Sequence, residues 1–585
     1  MAISGIGVLG RDKYGVFPLR GKLLNVKEKN NSTNKKLADN AEIKNLIKIL
    51  GLQFGKEYKD TSSLRYGRIC ILTDQDEDGS HIKGLVFNLF ETLWSSLFRI
   101  KGFLTTILTP VIKVSKGKKN ISFYCLSDYN KWKSNNNNGK GWNIKYYKGL
   151  GTSSNKEAKE YFKNFNLVTY LADKDTDIEA INLAFSQEKN SSNVRKDWLS
   201  NYNKSLTLDY NSKYVSIEDF IYFDLIHFST SDNNRSIPNV IDGLKISQRK
   251  VLFAAFKRNL KKEIRVAQFA GYVSEHASYH HGEASLQGTI INMAQDFIGS
   301  NNINLLMPNG QFGTRMLGGK DAAQPRYIHT CLNDMTSKLF NKLDEPLLNY
   351  INDDGYVVEP EYYVPVIPMI LVNGCQGIGT GWSTKIPCYN PKDIVENINN
   401  ISNNKPLKDL VPWYKGFTGT IIPYENGFIT KGKYEIKGDK VIISELPIGS
   451  WTDDYKEFLE SILVDTNNKT KKTLYIRSYQ TYCTDSEIKF ELSFIREKLD
   501  KLRDDKTYPI NKLETALKLT TKLSTNNMVL HDKDGKLQKF ESPNDIIKYH
   551  YNIRSEYYTK RRKFLLNLYQ KDISILQMKI NFIND

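Results

Sequence analysis

Asp74, Asp76 and Asp78 stand at alternate positions in the stretch DQDEDGSHIKG. Three carboxylates this close repel one another unless a cation neutralises them. Oxygen ligands at that density suit Mg²⁺, which keeps several waters and takes phosphate oxygens as further ligands. Such an ion polarises a phosphoryl group and stabilises a leaving oxygen. A lone Asp-x-Asp is more often an ordinary acidic loop, so the setting decides. The run RICILT (68–73) is short, nearly continuous and apolar, the pattern of a buried strand in a parallel sheet. The amphipathic stretch 81–97 reads as a helix. Strand, acidic turn and helix put the carboxylates at the carboxyl end of a strand, where open α/β sheets carry their chemistry. An EF-hand is excluded, because its twelfth position would be Leu85 and a buried strand precedes the loop.

A second constellation comprises Arg235, Lys245, the tandem His280 and His281, and Arg326–Tyr327 in AAQPRYIHT. Tyr327 is one of 34 tyrosines, most of which serve as packing residues with a polar rim. Its setting distinguishes it: a basic, Gly-rich loop precedes it and an arginine is its neighbour. A tyrosine hydroxyl can attack phosphorus and form a covalent ester. With a solution pKa near 10 it needs a base or cationic neighbours. Arginine offers a fixed fork of donors for the phosphoryl oxygens. His281 is suited to hold a phosphate oxygen or relay a proton, although a hydrogen-bonded core histidine is the more ordinary reading.

Several elements must position these groups. Apolar spacing predicts helices at 42–50, 157–165, 251–256 and 285–297, then near 454–463 and 487–502. The segment 308–326 reads as a polar loop. Strands are expected at 419–425, 434–447 and 472–478, and a long charged helix over 541–585. The 585 residues suggest roughly three to five domains. With 40% apolar residues, several cores can form. Subtracting 65 acidic from 83 basic residues leaves +18, which favours a polyanionic partner, nucleic acid ahead of a membrane surface. Six scattered cysteines make no CxxC pair, so neither a structural zinc site nor a disulfide framework is indicated, and a reducing compartment fits. No apolar run reaches transmembrane length, so no membrane partner is expected.

The motifs taken together resemble type IIA DNA topoisomerases of the single-polypeptide eukaryotic type, also encoded by some large DNA viruses. The matches are YGVFPLRGKLLNV (14–26), ILTDQDEDGSHIKGL (71–85), YYKGLGTS (146–153), RSIPNVIDGLK (235–245), YHHGEASL (279–286), NGQFGTRMLGGKDAAQPRYI (309–328) and NGCQGIGTGWST (373–384). They follow family order across almost the whole chain. The resemblance implies a multidomain α/β and α+β chain. Residues 1–110 would be a Toprim-like parallel sheet, N-terminally incomplete, and 111–224 a linking α+β region. Residues 225–365 would be a winged-helix domain, 366–520 a strand-rich tower and 521–585 the start of a coiled-coil arm.

The resemblance also implies roles. Asp74 and Asp76 match the principal Mg²⁺ ligands, and Asp78 the third acidic position. Tyr327 matches the tyrosine that becomes linked to a DNA 5′ phosphate. Arg326, Arg235, Lys245 and His281 match residues around that phosphate. Ile378 matches an apolar wedge that bends the DNA. The partners implied are double-stranded DNA and a second copy of the chain. ATP would bind an ATPase region outside this chain, in a longer polypeptide or a separate subunit. The family's EGDSA glutamate would lie just upstream of Met1, so the chain is expected to be a fragment, a split-gene product or a mis-set start. On its own it is not expected to relax or supertwist DNA. The compartment would be the nucleus for a cellular eukaryotic protein, and a viral factory or host cytoplasm for a viral one. Two other classes compete: the primases and nucleases that share Toprim folds, and a non-catalytic or partner-dependent DNA-binding module.

Overall fold

The computed structural model describes residues 2–27, 31–147, 149–209, 212–353, 355–463, 476–505 and 507–584, without the side chains of 31–34, 126, 127 and 164. Lys148 of YYKGLGTS and the first four residues of the strand expected at 472–478 lie outside them. Contacts divide the chain into two units. One is Met1–Asn233 with Gly379–Trp382, and the other is Asn234–Ile378 with Ser383–Asp585.

The first unit is built on a four-stranded sheet. Its strands are β1 (Ile69–Ile71), β2 (Leu104–Ile107), β6 (Leu167–Leu171) and β7 (Tyr214–Ser216), in that spatial order. Pairing is parallel between β1 and β2 and between β6 and β7, and antiparallel between β2 and β6. All of β2 is buried, and its two threonines stay satisfied there. Thr105 and Thr106 donate to the Ile69 and Ile71 carbonyls at 3.0 and 2.9 Å. A smaller sheet of β3 (Ile112–Lys116), β4 (Lys119–Phe123) and β5 (Asn143–Tyr146) has the order β4–β3–β5. The apolar N-terminal segment forms α1 (Ala2–Leu9), which packs on α3 (Asn155–Asn164). A Cβ on Gly5 would lie 2.5 Å from the Phe162 ring, so the approach requires glycine. Between β1 and β2 runs α2 (Glu77–Leu93), whose middle is buried against the main core.

The second unit centres on three mutually packed helices, α5 (Ile246–Lys257), α6 (Val266–His276) and α7 (Glu283–Ala294). They are preceded by α4 (Ile226–Ser236), which carries Arg235 in its last turn. A short ribbon pairs β8 (Ile264–Arg265) with β9 (His329–Thr330). The hairpin β10 (Cys375–Ile378) and β11 (Ser383–Ile386) follows. Gly243 has φ +69°, and a Cβ there would meet the Ile370 amide nitrogen at 2.4 Å. Only glycine permits both.

Farther along, β12 (Lys433–Lys437), β13 (Lys440–Glu445), β15 (Phe490–Phe494) and β14 (Ile476–Thr481) form an antiparallel sheet in that order. This corrects the helix expected over 487–502. Ile488, Phe490, Leu492 and Phe494 alternate into the core, so the segment begins as a strand. Only its end, α8 (Arg496–Arg503), is helical. The chain finishes in the 42-residue α9 (Pro543–Asn584). Its first half buries one face, through Ile546, Ile547, His550, Arg554 and Tyr557, while Leu566, Ile573, Leu576, Phe582 and Ile583 in its second half are exposed.

Candidate active site

The acidic turn joins β1 to α2. Asp76 is the N-cap of α2, and its Oδ1 accepts from the Gly79 amide at 2.7 Å. A Cβ on Gly79 would lie 2.0 Å from the Asp74 carbonyl oxygen, so the tight turn depends on that glycine. Asp74 faces a different segment, the GLG of YYKGLGTS. Its Oδ1 accepts from the Leu150 amide at 2.6 Å, and a Cβ on Gly149 would stand 3.2 Å from its Oδ2. Asp78 accepts from Lys22 Nζ at 2.9 Å. That ammonium also sits 4.5 Å from the centre of the Phe228 ring, on which His81 stacks at 3.9 Å. All three carboxylates line a cleft of about 590 Å³ whose apolar wall includes Ile6, Leu9 and Phe162. The buried Thr73 hydroxyl on the same cleft has no hydrogen-bond partner among the described residues. Among those residues no group of three Asp, Glu, His or Cys side chains gathers closely enough to hold a metal ion by itself.

Tyr327 lies in the turn just before β9, and it is 66% exposed. Its amide donates to the Gln324 carbonyl at 2.9 Å. On either side of it, the Pro325 and Ile328 carbonyls accept from the Ala267 and Val266 amides, the first amides of α6. Ribbon and helix end thus fix the backbone while the side chain projects. The Arg326 guanidinium lies 4.8 Å from the centre of the Tyr327 ring. Lys245 is placed elsewhere: its Nζ donates to the Gln376 carbonyl in β10 at 2.9 Å. Burial lowers its pKa against a smaller opposing effect of Cys375. Two residues on, Ile378 ends β10 with its side chain 75% exposed. A Cβ on Gly377 would lie 2.0 Å from the Ser236 carbonyl oxygen, which fixes how closely the hairpin approaches the end of α4.

His281 precedes α7 and is exposed, which overturns its reading as a core histidine; its ring meets Tyr279 edge-on at 5.4 Å. His280 pairs with Asp353 at 3.2 Å. The structure therefore brings Arg326 onto Tyr327 and Lys245 onto the strand of Ile378.

Three family models cover the chain. That for the Toprim domain matches residues 2–103, and that for its C-terminal associated domain matches 107–233. The third, for the A subunit of DNA gyrase/topoisomerase IV, matches 235–585. DNA topoisomerase 2 top-2 of Caenorhabditis elegans is 46% identical over 602 residues, covering 100% of this chain and 39% of that protein. DNA topoisomerase 2 of Plasmodium falciparum is 46% identical over 99% of this chain and 41% of its own length. The solved DNA-binding, cleavage and re-ligation domain of Plasmodium falciparum topoisomerase II is also similar. It has a TM-score of 0.77 at 46% identity, over 98% of this chain and 76% of that one. The chain belongs to the type IIA DNA topoisomerases. It spans about two fifths of the length of the curated relatives it matches.

Some charged residues of this topoisomerase chain were misjudged or missed in the sequence. Arg315, inside the loop read as polar, is buried and pairs with Glu445 at 2.5 Å. Lys83, in the acidic motif, is fully buried against Asp224 at 3.0 Å. Burial opposes its charge, but Asp224, Tyr170 and Asp76 together outweigh that and raise its pKa. Glu157 accepts from the Lys145 ammonium, the Tyr147 hydroxyl, and the Ser154 amide and hydroxyl. Its signal was the Ser-x-x-Glu capping box at 154–157.

Proposed function

We propose that the chain is the DNA breakage-and-rejoining core of an ATP-dependent type II topoisomerase. One observation carries this: Tyr327 projects from a rigid turn into solvent with a guanidinium against its ring. Its hydroxyl oxygen attacks a backbone phosphorus as the tyrosine proton is lost. The bond from phosphorus to the 3′ oxygen breaks, and that oxygen departs with the electron pair and gains a proton. A 5′-phosphotyrosine ester remains. One phosphoester replaces another, so the reverse attack reseals the strand without ATP. Arg326 neutralises charge on the transferred group, with Arg235, Lys245 and His281 serving the same phosphate. Ile378 is the apolar wedge that opens a base step and stabilises a bend.

The acidic cleft fits a divalent cation in its donor chemistry and in the glycine-made space beside Asp74. Asp74 and Asp76 would hold Mg²⁺ with water and phosphate oxygens, and Asp78 stands third. When bound, the ion supplies positive charge for the departing 3′ oxygen. In a homodimer, two Tyr327 residues would cut opposite strands of double-stranded DNA so that a second duplex can pass. ATP would act at a site outside these residues. The nucleus, or a viral factory or host cytoplasm, is the corresponding compartment.

A second reading, a DNA-binding module that cuts only with a partner's help, is favoured by the lack of a three-ligand group among the described residues. Denaturant trapping with end-labelled duplex in Mg²⁺ or Ca²⁺ separates the two. The breakage reading requires a covalent adduct that Tyr327→Phe abolishes while duplex binding persists. Binding with no adduct favours the module.

A further inference from the structure

The carboxylate of Glu157 lies outside the acidic turn, yet it holds together the segment that touches Asp74. Lys145 Nζ donates to its two oxygens at 2.9 and 2.8 Å, and the Tyr147 hydroxyl donates at 2.5 Å. From the other side the Ser154 amide and hydroxyl donate at 2.8 and 2.9 Å. Glu157 thereby ties Tyr147 to Ser154, on either side of the segment 149–153. Inside it lies the Leu150 amide that donates to Asp74 Oδ1. Thr152 tightens the same loop, its amide and hydroxyl donating to the Gly149 carbonyl at 3.0 and 2.7 Å. The side chain of Glu157 is 17% exposed, while its partners Lys145 and Ser154 lie at the surface. Burial opposes its charge, but Lys145, Tyr147 and Ser154 outweigh this and draw its pKa down to about 2. It is ionised at any working pH.

We propose that Glu157 is a positioning residue for the metal-binding carboxylate: by tying Lys145 and Tyr147 to Ser154, it holds the Leu150 amide on Asp74 and fixes the orientation in which Asp74 meets the divalent cation. This rests on the breakage reading, in which Asp74 is a ligand. Without the staple, the loop loses its closure and Asp74 samples other rotamers. Partners that orient a ligand commonly change metal affinity by about tenfold or more when removed.

The test uses the full chain with Glu157→Gln, and Tyr147→Phe as a second, milder cut in the same staple. Amide hydrogen exchange is followed in peptides covering 149–152, without metal. Mn²⁺ binding is followed by the electron-spin signal of the free ion. Exchange at Leu150 is expected to quicken at least about tenfold, and Mn²⁺ affinity to fall about tenfold. Peptides covering β1 should keep wild-type protection in a folded variant. Unchanged Leu150 exchange overturns the inference, as does faster exchange with unchanged Mn²⁺ affinity. If Glu157→Gln fails to fold, the same outcomes in Tyr147→Phe decide. A wild-type chain that binds no Mn²⁺ at millimolar concentration removes the ligand assignment of Asp74 instead. The metal-free exchange comparison then still decides whether Glu157 holds the loop.

Discussion

At the scale of single residues, the two candidate regions are held in different ways. Tyr327 is exposed but its backbone is tied on both sides to the start of α6. The carboxylates are set by hydrogen bonds to main-chain amides, from Gly79 to Asp76 and from Leu150 to Asp74. The two carboxylate contacts depend on Gly79 and Gly149, and these glycines were visible in the sequence. Their purpose was not, because a steric need is known only once the opposing atom is in place. Glu157 contributes stability with a definite pH signature. Its folded pKa of about 2 lies below its ordinary value of 4.5, so its contribution is full above 4.5 and is lost as pH falls toward 2. The difference in urea midpoint between wild type and Glu157→Gln should be constant near pH 6 and shrink steadily below about pH 4.5. A difference that grows on acidification would contradict the ion-pair assignment.

At the scale of elements, periodicity decided what could be read. Helix α5 was legible from its apolar face, and the acidic turn from the strand before it and the helix after it. The segment 487–502 was misread because the charged helical stretch Arg496–Arg503 follows directly on the alternating Ile488, Phe490, Leu492 and Phe494, and one period was read across both. For His281 the sequence left two readings, because a histidine beside a helix start has the same signature whether it packs or projects; it projects. Helix α9 is anchored where sequence offers no hint, by residues about two hundred positions apart. Arg554 Nη1 and Arg561 Nε reach the buried Asp344 at 2.6 and 2.7 Å. Asp344→Asn would leave Arg554 buried without its countercharge, at an expected cost of about 3–5 kcal/mol in chemical denaturation. A loss below about 1 kcal/mol would mean that water or another acceptor satisfies these guanidinium groups. The hairpin β10–β11 carries Ile378 at its exposed end. Ile378→Ala should reduce DNA bending, read by energy transfer between labelled duplex ends, with little change in affinity. Equal bending would remove the wedge role.

At the scale of the whole molecule, the excess of 18 positive charges makes binding to a polyanion strongly dependent on salt. If about six phosphates are neutralised, affinity for a duplex should fall by about a thousandfold between about 50 and about 200 mM salt. A nearly flat dependence would exclude backbone tracking. The family was legible because the motifs carrying chemistry lie in fixed order along the chain. The grouping of Arg235, Lys245 and His281 with Tyr327 has a different status: sequence order sets which residues belong to a family, not which side chains meet. Lys245 shows this, since its ammonium binds the strand of Ile378.

The most direct measurement is the identity of the residue bound to DNA. The chain would be incubated with a duplex and Mg²⁺, denatured, digested with nuclease and protease, and the nucleotide-bearing peptide sequenced by mass spectrometry. The expected result is a 5′-linked nucleotide on Tyr327, absent from Tyr327→Phe and from a metal-free control. A nucleotide on another residue, or duplex binding with no linked peptide at any divalent-ion concentration, would contradict Tyr327 as the nucleophile of this chain.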